Sequence, residues 1–114
     1  KRFLRPVRVT PSMRESQRRV AAFLEAEALH APPAYRLLDL TAEVGELAAD
    51  ATASSGYGAD PDALSVNRDE LGDALFALLA LADELDIDAE AALDESLRKY
   101  RTRIDADGTA GSGE

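Results

Sequence analysis

Residues 69–85, DELGDALFALLALADEL, decide the fold. From Ala74 to Ala82 the run is apolar on every side, which predicts a helix surrounded by protein rather than one lying half in water. Asn67 can cap its start, and the helix is expected to run from there to Leu85 or Asp86. Glu70 and Asp73 fall in its first turns, one helical turn apart, with Gly72 between them. Two carboxylates at the entry of a covered helix are costly unless something compensates their charge. Between residues 37 and 97 the only basic residue is Arg68, so a cation is the natural partner.

The pattern of glutamate, aliphatic residue, glycine and acid occurs once more upstream. In AEVGELAAD, residues 42–50, Glu43 and Glu46 flank Gly45 at the same spacing. Leu37, Leu40, Val44, Leu47, Ala48 and Ala51 recur at three- and four-residue intervals, predicting a helix from Pro33 or Ala34 to about Ala53. Asp39, Glu43, Glu46 and Asp50 form a separate acidic stripe on it. The stretch SSGYGADPDALSV reads as the loop between the two motifs. If the two helices pack antiparallel across that loop, four carboxylates converge, an oxygen-rich set suited to Mg²⁺. Glycine inside a helix costs roughly 1 kcal/mol relative to alanine, and close helix approach is the expected return at Gly45 and Gly72.

Each motif alone has a plainer explanation. Paired acids are common on solvated faces, and Asn67-x-x-Glu70 resembles a capping box at the positive end of a helix dipole. Neither explains why the glycine placement is matched or why the all-round apolar run follows.

Two further helices are expected. One runs from about Ser12 to Leu29, with Ser12-x-x-Glu15 as a capping box and Val20, Phe23, Leu24 and Leu29 as its apolar stripe; the other runs from Asp88 to about Ile104. The fold class is therefore all-α, a four-helix-type bundle over residues 12–104. Residues 1–11 form a basic arm that could be extended at FLRPVRV, and residues 105–114 an expected disordered tail.

Composition limits the chemistry. The 114 residues carry 13 Lys and Arg against 22 Asp and Glu, a net charge of −9 that disfavours a nucleic-acid partner and suits cation binding or a salt-adapted surface. Lys1, Arg2, Arg5, Arg8, Arg14, Arg18 and Arg19 face only Glu15 in the first 19 residues, so the rest is more acidic than the total suggests. With no cysteine and His30 as the only histidine, thiolate and histidine-rich metal sites are excluded. No apolar run reaches the length of a membrane span and no signal-peptide pattern is visible, so no membrane partner and a cytoplasmic location are expected.

EVGEL, followed after a loop by ELGDALFALLALADELDID and then AALDESLRKYRTRI, resembles the MazG-like members of the all-α nucleoside triphosphate pyrophosphohydrolase superfamily. Their E-x-x-E, spacer, E-x-x-D signature falls on Glu43, Glu46, Glu70 and Asp73, with 23 residues between the two halves, and the resemblance covers roughly residues 15–104. It implies that these four acids bind Mg²⁺ or Mn²⁺ and that nucleoside triphosphates are cleaved between the α and β phosphates. It also implies a homodimer or a dimer of dimers. The sequence does not fix which of the four doubles as general base; Glu46 is the candidate taken forward.

The family's basic segment, Lys-x-x-Lys-Asn-x-x-Arg, is matched only in part by SLRKYRTR, where Ser96 and Tyr100 replace the first Lys and the Asn. Lys99, Arg101 and Arg103 remain the expected triphosphate contacts, although basic residues near a helix C-terminus are also ordinary helix chemistry. Ala42 stands where many relatives carry another Glu. These departures keep an alternative alive: a catalytically degenerate helical oligomer that retains a cation site and serves as an interaction or nucleotide-sensing module.

Overall fold

The computed structural model describes residues 10–109 and 111. Four helices account for most of them: α1 (Met13–Ala26), α2 (Pro33–Ser54), α3 (Arg68–Glu84) and α4 (Ala89–Asp107). There is no strand among the described residues, and the basic arm at residues 1–9 with its FLRPVRV stretch lies outside them.

The helix starts follow the local chemistry that the sequence advertises. Ser12 and Glu15 form the reciprocal capping box of α1, Pro33 occupies the first position of α2, and Asn67 and Asp88 cap α3 and α4 by accepting from the amides of Asp69 and of Glu90 and Ala91. The ends are less legible. α1 stops at Ala26, three residues short of Leu29, because Ala28 adopts a left-handed backbone (φ 54°) and turns the Leu29 amide back onto the Leu24 carbonyl at 2.8 Å. Asp86 (φ 56°) ends α3 in the same way, with the Ile87 amide donating to the Ala82 carbonyl at 2.9 Å. At the end of α2 the left-handed position is Gly56, where the conformation is free of strain. α4 continues past Ile104 to Asp107 and is stopped by Gly108 (φ 75°), so part of the expected tail is helical.

α2 and α3 pack antiparallel and form the main contact of the chain, with α1 lying against α3. The register is fixed at the loop. Asp50 accepts from the Asn67 amide at 2.9 Å, while the Ser54 hydroxyl donates to the Ser65 carbonyl (3.0 Å) and accepts from the Ser65 amide (2.8 Å). One oxygen thus staples the two ends of the loop together. The core is small: Leu24 is fully buried, accompanied by Ala74, Ala77, Leu79, Ala80 and Ala82 of α3.

α3 departs from expectation in its surroundings. Leu71, Leu75 and Leu78 are each about half exposed, because among the described residues only α1 and α2 cover this helix to any extent and its third side is open. The glycine expectation also fails among the described residues. A Cβ built on Gly45 or Gly72 meets nothing within 4 Å, so neither glycine is required by contact between α2 and α3.

α4 is set by the first turns of α1. Arg14 pairs with Asp88 (2.8 Å) and Glu90 (2.9 Å), and the Gln17 amide donates to the Ile87 carbonyl (2.7 Å) and accepts from the Ala89 amide (2.8 Å). The Arg14 guanidinium and backbone amides hold Asp88 below the usual carboxylate range. Beyond this joint, Leu93, Leu97, Tyr100 and Ile104 form a stripe at four-, three- and four-residue spacing that remains exposed.

Candidate functional site

The α2–α3 register brings Glu43, Glu70 and Asp73 together, with one carboxylate oxygen from each lying within 4.8 Å of the others. Helical spacing aims Glu70 and Asp73 at α2 from adjacent turns, and Glu43 meets them from the other side of the antiparallel pair. Glu46 is exposed one turn along α2 and is not in the tight group. Its charge is nevertheless felt by both Glu43 and Glu70.

The electrostatics of this corner are one-sided. Partial burial raises the Glu43 carboxyl above its ordinary value, and the charges of Asp73, Glu46, Asp39 and Asp69 push it further. Glu70 is raised by partial burial and then by Glu46, Asp50, Asp73 and Glu43. All the charges named here are acidic. A hard divalent cation takes oxygen ligands and would relieve both the desolvation and the mutual repulsion, so the donor set fits Mg²⁺ or Mn²⁺.

The basic candidates sit elsewhere in the network. The Lys99 ammonium and the Arg103 guanidinium lie over the Tyr100 ring, at 5.1 and 5.8 Å from its centre, and Arg101 lies 3.7 Å from Asp105. All three are on α4, which packs chiefly on α1. Of the acids outside the signature, Asp50 caps the loop junction and Asp39 lies 3.6 Å from Arg36.

Arg36 was not singled out by its sequence. It is 6% exposed, donates to the Leu29 carbonyl and has a buried Nε without a partner. The available signal was its spacing, seven residues before Glu43 and hence on the same face of α2. A further mixed cluster unites His30, Asp83 and Glu84 at the far end of α3.

A family model described as the MazG nucleotide pyrophosphohydrolase domain matches residues 33–106, which include all four signature acids and the whole of the basic segment. The chain is similar to the uncharacterized protein YpjD of Bacillus subtilis (strain 168), with 37% identity over 75 residues, 62% of this chain and 66% of that protein. No solved structure matches the chain.

Proposed function

Because the chain belongs to the MazG nucleotide pyrophosphohydrolase domain family, we propose that it hydrolyses nucleoside triphosphates between the α and β phosphates, releasing a nucleoside monophosphate and pyrophosphate. The observation that carries this reading is the convergence of Glu43, Glu70 and Asp73 from two antiparallel helices. In this proposal these three, with Glu46 beside them, hold Mg²⁺ or Mn²⁺. The cation, when bound, neutralises phosphate oxygens and lowers the pKa of the attacking water. Glu46, exposed and outside the tight group, is the carboxylate least occupied by the cation and would take the proton of that water as its oxygen attacks the α phosphorus and the bond to the β phosphate breaks. Lys99, Arg101 and Arg103 bind the triphosphate, and clearance of unwanted nucleotides is the role that follows.

The working unit is a homodimer or a pair of dimers. The exposed stripe of α4, the open side of α3 and the unfilled space beside Gly45 and Gly72 support a second copy.

Pyrophosphate release from a panel of canonical and modified triphosphates, with Mg²⁺ or Mn²⁺, tests the reading. Glu43→Gln and Asp73→Asn are each expected to lower turnover by at least ~10²-fold, the scale of losing one preorganised electrostatic contact in an active site. Turnover unchanged in both variants, or absent from the native chain, removes the enzyme assignment. The engagement of Lys99 and Arg103 by Tyr100 favours the alternative of a degenerate sensing module. Its signature in the same experiment is a cation-dependent thermal shift without pyrophosphate release.

A further inference from the structure

His30 lies in the connector between α1 and α2, and both of its ring nitrogens face carboxylates. Nδ1 is 2.8 Å from Oε1 of Glu84, the last residue of α3, and Nε2 is 3.3 Å from Oε1 of Glu25 on α1. Asp83 contributes a third carboxylate to the same cluster. Among the described residues, the charged groups paired or clustered with the imidazole are Glu25 from α1 and Asp83 and Glu84 from α3, all acidic.

A neutral imidazole has one N–H and one lone pair, whereas an ionised carboxylate only accepts. The ring can donate to carboxylates on both of its nitrogens at once only as the imidazolium, although Glu25, 81% exposed, can also turn to water. The tie across α1, the connector and α3 is thus complete in one protonation state. The Glu84 side chain is only 14% exposed, which limits its recourse to water, while the ring is 44% exposed and open to exchange protons with solvent.

We propose that His30 is a proton-operated clamp: as the imidazolium it fastens the α1–α2 connector to the ends of α1 and α3, and as the neutral ring it lets the connector loosen. Arg36 continues to hold the Leu29 carbonyl, which confines the opening to the few residues around His30. The hydrogen bonds that the ring donates to Glu84 and then to Glu25 raise the His30 pKa above its ordinary value. The clamp's contribution is therefore complete below the ordinary imidazole value and is lost as pH rises through the higher, folded-state value.

His30 is the only histidine, so its ring signal in a proton NMR titration is unambiguous. The midpoint in the native chain is expected above that of the urea-unfolded chain, and Glu84→Gln and Glu25→Gln should each lower it. In parallel, exchange of the Leu29 amide, normalised to its intrinsic pH dependence, should rise about threefold to tenfold across the same midpoint, the worth of one hydrogen bond. In folded His30→Gln the step should vanish. A native midpoint at or below the unfolded value, or exchange that shows no step through the midpoint, overturns the clamp.

Discussion

Ala28 shows how much a single backbone position can conceal. An alanine held at φ 54° pays the left-handed penalty of roughly 1 kcal/mol that glycine avoids, so Ala28→Gly is expected to stabilise the fold by about that amount in urea denaturation. No sequence rule marks Ala28, because left-handed helix stops are ordinarily announced by glycine or asparagine. Arg36 works in the opposite direction. Removing its charged donor strands a carbonyl in the connector, and Arg36→Met should cost about 1.5–3 kcal/mol by the same measurement. By contrast, the convergence of Glu43, Glu70 and Asp73 follows from their spacing once α2 and α3 are antiparallel, although the same spacing also led to Glu46, which stays outside the tight group. Helical periodicity fixes which side chains share a face, whereas the partner of a buried arginine depends on where the chain turns next. Glu70→Gln should raise the thermal midpoint without added metal, because it removes one charge from a repelling group, and should diminish the further rise on adding Mg²⁺.

At the level of the elements, helix existence and order could be read from caps and apolar spacing, but helix coverage could not. The all-round apolar stretch of α3 promised enclosure, and one chain supplies it only in part. Hydrophobicity states that a surface wants covering without saying which molecule covers it. Gly45 and Gly72 make this testable. With nothing within 4 Å of either Cβ position, alanine at each should add roughly 0.5–1 kcal/mol of helix stability. A loss in place of the gain would locate a second copy against that glycine. The α1–α4 joint has its own signature in pH. Asp88 is depressed by Arg14, so its contribution is present above the ordinary carboxylate value and is lost as pH falls through the lower, folded-state value. Arg14→Ala should remove that acid-side change in α4 amide exchange.

Taken together, the described residues are too open for their number. Their radius of gyration is 17.7 Å, against about 13 Å for a self-contained domain of this size. The shortfall in burial follows from α4 leaving the bundle and from the groove of about 510 Å³ between α1 and α3, lined by Val20, Phe23, Leu75, Phe76 and Leu79. Light scattering should therefore give at least twice the 12.2 kDa chain mass, and Leu97→Glu on the α4 stripe should shift it toward one chain. The Ser54 staple carries a different consequence. Because one hydroxyl joins Ser54 to Ser65, the ten residues between them form a closed excursion: Ser55, Gly56 and Gly58 are tied to the end of α2 by the buried Ser55 hydroxyl and by left-handed backbone, and residues 59–64 can change without shifting the register of α2 on α3. Insertions and deletions there leave the acids where they are. The chain is thus divided into a segment that selection can rewrite and a frame that it must keep, and new selectivity can be tried in the first without rebuilding the second.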